Sequence, residues 1–398
     1  MPTQGCCKGE VSRSFTSNSE KVALSESITY LVDTASDLYA ALVEGFVSHS
    51  QRGLKMRHIV YTKRGGMDAI DIAESPTPIP GVGEVLIEVH RAGINFADLM
   101  MRQGLYSPVP PFPFTPGYEI SGVVKELGKG NGGSGLIIGD RVVSLCGMGG
   151  YSEQIVAPAE RCFKLPESVS FDAAAALPVT YLTAHHMLTY LGNFKQGDTI
   201  LVHHAAGGVG TATAQLAKAL GASKVFGTAS TNKAEFVRSL GMHFIDRENE
   251  DFVEVCKRET DGLGVHHALD PVGGKHMMRS YKALRSGGRL FAFGGSAAVK
   301  GSKRSFVTAL RMVLTTPKFN PFKMMNSNKA VFGVHMGTWK DEAVLKNQVT
   351  SLVRMLEDGC ISPVVDKVFR FEEVAAAQQY LHDRKNRGKV LLDFSPRN

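Results

Sequence analysis

Apolar residues recur along this chain with changing period, and the changes divide it. Leu24, Ile28, Leu31, Ala35, Leu38, Leu42 and Phe46 stand at helical spacing, with Asp33, Asp37 and Glu44 off the stripe, which predicts an amphipathic helix. Residues 1 to about 22, before it, are rich in Ser, Thr, Asn and Gly and read as disordered. Residues 1–55 therefore form an N-terminal extension. From Met56 to about Pro178 the apolar residues gather into short runs, RHIVYT, EVLIEVHRAGI, YEISGVVKEL, DRVVSLC and YSEQIVA. Gly and Pro clusters such as PTPIPGVG and PVPPFPFTPG separate them, as in a β-rich domain. From about Thr180, strand-like runs at 199–203, 224–228, 243–246, 265–270, 289–293 and 330–336 alternate with helical stretches. Six strands with crossover helices predict an α/β domain built on a doubly wound parallel sheet. After Gly337 come a helix, the strand VVDKVFRF, another helix and GKVLLDF, whose strands are expected to return to the β-rich domain. The division is thus 56–179 with 337–398 for one domain and 180–336 for the other.

Composition narrows the classes. The 398 residues are 43% hydrophobic, yet no apolar run approaches the length of about 18 residues that a membrane-crossing helix needs. The start MPTQGCCKGE lacks the order of a secretory signal, and the six cysteines show no CxxC and no even disulfide spacing. A reducing, cytoplasmic setting is expected. The net charge of +7 is unevenly placed: between Asp270 and Asp341 there are 13 Lys/Arg and no acid, so the remainder carries 32 basic against 38 acidic residues.

The chemistry starts at TILVHHAAGGVGTATAQLAK, residues 199–218, where a strand runs into glycines and then into a helix. A pyrophosphate is best held by free backbone N–H groups at a helix N-terminus, where side chains would obstruct it. Ala206, Gly207, Gly208, Val209 and Gly210 are the candidates for that cradle. NAD-binding folds commonly carry an acid after the next strand to hold the ribose 2′-hydroxyl. Here Gly227 and Thr228 stand there instead, followed by Ser230 and Lys233, with Arg247 after the third strand. Hydroxyl and cationic groups suit a 2′-phosphate, which points to NADP(H). Asp270, ending the fourth strand, and Phe293 and Gly294, ending the fifth, complete the cofactor-binding set.

Gly197-Asp198, Leu201, Ala205 to Gly208, Gly210, Gln215 and Lys218 resemble the signature of the quinone oxidoreductase and zeta-crystallin group, the zinc-free members of the medium-chain dehydrogenase/reductase superfamily. GINFADLMMRQGLYSP and TPGYEISGVV resemble the same group's catalytic domain, which implies a GroES-like fold for the β-rich part. Through RQGLY, VFGTAS, NKAVFGVHMG and RKNRGKVLL the chain is most like the vesicle amine transport protein branch. The resemblance spans about residues 56–394. It implies that Asn95 and Tyr106 lie near nicotinamide and substrate, that Thr183 touches the nicotinamide end of the cofactor, and that Asp98 supports the loop. It also implies a homodimer joined along the sixth strand of the nucleotide sheet.

Two readings of function follow. In the first, the chain is an NADPH-dependent reductase of quinones or α,β-unsaturated carbonyls. Zinc alcohol dehydrogenases carry Cys about where Asn95 stands and His-Glu where Tyr118-Glu119 stand, so two zinc ligands are replaced and no metal is expected. The pairs His203-His204, His185-His186 and His266-His267 read as polar ends of strands and helices, because neighbours on a strand face opposite ways. In the second reading the chain works on an anionic membrane surface through the basic block 271–340. There Lys300, Lys303, Arg304, Arg311, Lys318, Lys323 and Lys329 interleave with Phe306, Leu310, Met312, Val313, Leu314, Phe319, Phe322, Met324 and Met325. No nucleic-acid motif accompanies the charge.

Overall fold

The structure, a computed structural model, describes residues 55–106, 108–130, 134–299 and 306–396. The amphipathic helix expected at 24–46 and residues 300–305 of the basic block lie outside the described residues.

Strands β1 (Lys55–Tyr61) and β2 (Ile70–Pro76) pair with each other. A second sheet is built from β3 (Glu84–Ile94), β4 (Ile120–Leu127), β5 (Arg141–Ser144), β6 (Gln154–Pro158) and β7 (Cys162–Lys164), with helix α1 (Phe96–Arg102) leaving the end of β3. Val85, Ile87 and Val89 alternate along β3 and pack on Ile120, Val124, Tyr151 and Leu392, the period-two pattern of an antiparallel sheet with one buried face.

Helices α2 (Phe171–Ala175) and α3 (Pro178–His185) lead into a third sheet. Its strands and crossover helices run β8 (Thr199–His203), α4 (Gly208–Ala219), β9 (Lys224–Ala229), α5 (Ala234–Ser239), β10 (His243–Asp246), α6 (Phe252–Arg258), β11 (Val265–Asp270), α7 (His276–Lys282) and β12 (Leu284–Ala292). Then come α8 (Phe306–Thr315), α9 (Pro321–Ser327) and β13 (Ala330–Gly333). All neighbours are parallel, in the order β10-β9-β8-β11-β12-β13. Both faces are buried. Ile200, Val202, Leu269 and Phe291 face one layer, while Leu201, Ala268 and Leu290 face the other with Phe252 and Val255 of α6. Continuous apolar runs such as TILV are the sequence form of that burial.

The chain ends with α10 (Glu342–Glu357), β14 (Val365–Arg370), α11 (Val374–His382) and β15 (Lys389–Asp393). β15 pairs antiparallel with β3, Leu392 opposite Ala92, and parallel with β14, so the tail does return to the β-rich sheet. The fold is therefore a GroES-like sheet, antiparallel except for its β14–β15 edge, joined to a Rossmann-type doubly wound sheet. Several elements differ from the sequence pattern, among them β12, which begins at Leu284 rather than 289. α4 begins at Gly208, inside the glycine run rather than after it, because the glycines are already helical. β13 ends at Gly333 rather than 336: Val334 still donates to Ala292 O at 2.9 Å, and the chain then turns at Met336–Thr338.

Candidate active site

The carboxyl ends of β8, β11, β12 and β13 open into a cavity of about 610 Å³, whose other wall comes from α1, α3 and the start of β15. A doubly wound sheet places its ligand at this position, where the strand order reverses.

The glycine turn forms one end. Gly207 is the N-cap of α4, and the first α4 bond to it runs from Thr211 N to Gly207 O, leaving the N–H groups between them without helical partners. At Gly210 a Cβ would lie 2.4 Å from Ala205 O, so no side chain fits. Gly388, with φ 104°, donates to Ala206 O at 2.8 Å and fastens the approach to β15 against this turn. His204 takes a left-handed φ of 55°, a conformation that glycine adopts more readily than a residue with a side chain. Burial, with the charges of Arg384 and Arg247 behind it, lowers the His204 imidazole to about 4.

Next to the turn lies a group of cations. Lys233 is 9% exposed and donates from Nζ to Asn386 O at 2.6 Å. Burial lowers its ammonium to about 8, and Arg247, Arg387 and Arg384 push the same way against Asp366. Arg384, which has a left-handed φ of 55°, is lowered by burial and by Arg247. Ser230, Lys233, Arg247 and Arg384 all line the cavity. Three cations thus stand around one recess, with Arg247 also paired to Glu248 at 3.1 Å, an arrangement that suits an anion.

At the other end the floor is a buried polar knot. Lys389, at the start of β15, donates to Asn95 Oδ1 at 2.7 Å and forms an ion pair with Glu119. Asn95 Nδ2 donates to Glu119 Oε1 at 2.8 Å, and Val179 N donates to Glu119 Oε2 at 2.6 Å. Asp98, fully buried, accepts from Asn95 N at 2.7 Å and from Tyr151 Oη at 2.7 Å. Burial pushes its carboxyl up to about 7 against those two hydrogen bonds. Tyr106, Tyr118, Thr183 and His335 stand around this floor in the cavity wall. Burial raises both phenols. The Thr183 hydroxyl donates to Val179 O at 2.6 Å.

Most residues expected from the sequence meet here: Asn95, Tyr106, Thr183, Ala206, Gly207, Gly208, Val209, Gly210, Ser230, Lys233, Arg247, Phe293 and Gly294 all line the cavity. Three do not reach it. The Thr228 hydroxyl is turned to His203 Nδ1 at 2.9 Å, and Asp98 lies beneath Asn95. Asp270 is fully buried, accepting from Val272 N, Gly273 N, Ser280 Oγ and His276, so it shapes the turn after β11 from below. His203, whose Nε2 meets Ser280 Oγ at 3.1 Å, belongs to that same network. Sequence reasoning missed Arg384, Asn386, Lys389 and His335. A signal existed for the first three, since RKNRGK is a charged run around a glycine just before a strand.

A GroES-like sheet closing over the carboxyl ends of a Rossmann sheet, with a glycine turn and an anion site between, is the architecture of a dinucleotide-dependent oxidoreductase. Comparison with known proteins agrees. The alcohol dehydrogenase GroES-like domain model matches residues 81–167, and the zinc-binding dehydrogenase model matches residues 208–351. The synaptic vesicle membrane protein VAT-1 homolog of Mus musculus is 39% identical over 345 residues, covering 86% of this chain and 84% of that protein. Among solved structures, the human synaptic vesicle membrane protein VAT-1 homolog-like protein superposes with a TM-score of 0.75 at 33% identity, covering 87% of this chain and 100% of that one. The quinone oxidoreductase of Escherichia coli, complexed with NADPH, gives a TM-score of 0.74 at 29% identity, covering 85% and 99%. The chain belongs to the medium-chain dehydrogenase/reductase family, in its quinone-oxidoreductase-like part near VAT-1.

Proposed function

We propose that this chain is an NADPH-dependent reductase of quinones or α,β-unsaturated carbonyls that works without catalytic zinc. The observation that carries the reading is the floor of the cavity. Where a metal dehydrogenase needs ligands, Asn95 and Glu119 are already bridged by the Lys389 ammonium. Tyr118, at the place of a second ligand, is a phenol, which is not among the side chains that zinc ordinarily takes. The residues present therefore do not fit the zinc of the matched family description.

They do fit NADP(H). The N–H groups of the glycine turn suit the pyrophosphate, and Ser230, Lys233, Arg247 and Arg384 suit the 2′-phosphate. The cofactor supplies a hydride from its nicotinamide. Phe293, Gly294 and Thr183 are the chain's groups at that end, and apolar neighbours such as Ile94, Leu145, Leu182 and Val334 exclude water. An acceptor that needs no metal Lewis acid must be activated by its own conjugation, which selects quinones and enones. Purified protein should oxidise NADPH in preference to NADH with such acceptors, and a strong chelator should not slow it. A preference for NADH, or activity restored only by zinc, would overturn the reading.

A second reading, work at a membrane surface, is favoured by helices α8 and α9. Val307, Leu310, Val313, Leu314, Phe322 and Met325 are 59–78% exposed there, among Arg311, Lys318 and Lys323 in the acid-free block. Among the described residues no helix is long and apolar enough to cross a membrane, so this would be peripheral contact with anionic lipid. Flotation that requires phosphatidylserine and falls with salt supports it; no flotation at low salt removes it. We also propose a homodimer paired along the β13 edge, which the strand order leaves open. A monomeric mass at micromolar concentration would contradict that.

A further inference from the structure

Helix α8 carries its apolar stripe on the outside. Val307, Leu310 and Leu314 recur at helical spacing and are 78%, 59% and 74% exposed, with Val313 beside them at 63%. The opposite side of the helix meets the body of the protein. A Cβ at Gly295 would come within 3.1 Å of Met312 Sδ, and one at Gly274 within 3.2 Å of Thr315 Oγ1. Phe322 and Met325 of α9 extend the outward face, at 74% and 66% exposed. A surface helix ordinarily turns such a stripe inward, so an outward one marks contact with an apolar partner or phase.

Charge decides what covers it. Arg311, Lys318 and Lys323 are exposed around the patch, and no acid occurs between Asp270 and Asp341. Across a two-fold axis a second copy would set this basic face against its like. An anionic bilayer surface complements it and takes the apolar side chains below the headgroups. The patch and the cavity share α8. Met312 closes on the turn after β12, whose Phe293, Gly294, Gly295 and Ser296 line the cavity, so the outward stripe lies about 10 Å, one helix diameter, from the cavity wall. That cavity suits an uncharged guest. None of its described lining residues is Asp or Glu, and its Lys and Arg outside the 2′-phosphate recess are taken, Lys389 by Glu119 and Arg161 by Glu342.

Resting on the reductase reading and on that bilayer contact, we propose that the acceptor is an apolar quinone dissolved in an anionic bilayer, taken up while α8 and α9 sit in the headgroup layer. The quinone gains a hydride from NADPH and a proton from the solvent and becomes the hydroquinone, leaving NADP⁺. The hydroquinone, still apolar, returns to the lipid, and the charged cofactor exchanges with water.

The test sets two acceptors side by side: duroquinone in solution, and a benzoquinone with a decyl tail held in phosphatidylcholine vesicles with or without phosphatidylserine. NADPH oxidation by the vesicle-borne quinone should rise at least about tenfold when phosphatidylserine is present and fall again in high salt. Leu310→Glu combined with Leu314→Glu, both at exposed positions, should cancel that rise and abolish flotation with the same vesicles. The double variant should still turn over duroquinone within about twofold of the wild type, since neither side chain lines the cavity. A rate independent of phosphatidylserine, or a double variant that floats and reduces the vesicle-borne quinone like the wild type, would overturn the proposal. Duroquinone separates the two readings. If it is reduced and the vesicle-borne quinone is not, this proposal alone falls; if neither is reduced, the reductase reading falls with it.

Discussion

Replacing Lys389 by Met tests the polar knot beneath the cavity. The Lys389 side chain is 3% exposed and that of Glu119 is fully buried, so their ion pair is screened little by solvent. With the ammonium gone, Glu119 keeps two donors, Asn95 Nδ2 at 2.8 Å and Val179 N at 2.6 Å, but has no countercharge. Asn95 Oδ1 also loses the donor it has at 2.7 Å. Breaking a buried pair in this way costs about 3–5 kcal/mol, because the remaining charge stays desolvated. Glu119→Gln leaves the opposite charge and should cost on the same scale. In the double variant neither charge remains, and the Gln oxygen still accepts from Val179 N. It should therefore be more stable than the sum of the single changes by about 2 kcal/mol or more, well beyond ordinary additivity. Urea unfolding of the four proteins, at constant m value, measures this. Single variants that lose less than about 1 kcal/mol, or that add within about 0.5 kcal/mol, would refute the coupling.

Other outcomes follow from the same geometry. Lys233→Ala and Arg384→Ala should each weaken NADPH binding by about 1.5–3 kcal/mol, the scale of hydrogen bonds to charged groups, and leave NADH within twofold. Equal losses for both cofactors, read by fluorescence titration, would remove the 2′-phosphate assignment. Gly210→Val should abolish dinucleotide binding and lower stability, since even a Cβ there meets Ala205 O at 2.4 Å; retained affinity would contradict the close approach. Stability should fall as pH drops from about 6.5 to about 4. Burial holds His185, His204 and His382 at about 4, against 6.5 for the free side chain, so across that interval the unfolded chain binds more protons than the folded one. Asp98, raised to about 7, opposes this as one group against three. Urea midpoints that stay flat over the interval would contradict it.

The parallel sheet was legible because each strand is buried on both faces and so reads as an unbroken apolar run, and the glycine turn because close approach forbids side chains at Gly210. Lys233 and Arg247 could be named from their place after the second and third strands. Arg384 and Lys389 stand in the charged run RKNRGK, but spacing does not bring that run to the cavity: it arrives there only when the last strand pairs with β3, a contact between distant segments that periodicity does not encode. Thr228 and Asp270 sit at strand ends where ligand contacts are usual, but their polar atoms are taken by His203 and by the turn after β11. Which way a strand-end side chain turns depends on such partners, and spacing alone does not reveal it.

The central claim is hydride transfer from NADPH to an activated carbonyl acceptor, and isotope transfer tests it most directly. Protein supplied with NADPH deuterated on one face of nicotinamide C4 and with an enone should yield, by mass spectrometry, product carrying a single deuterium at the β-carbon from one face of the cofactor only. Product formed without deuterium from either labelled face, or no product from a protein that binds NADPH tightly, would contradict the account.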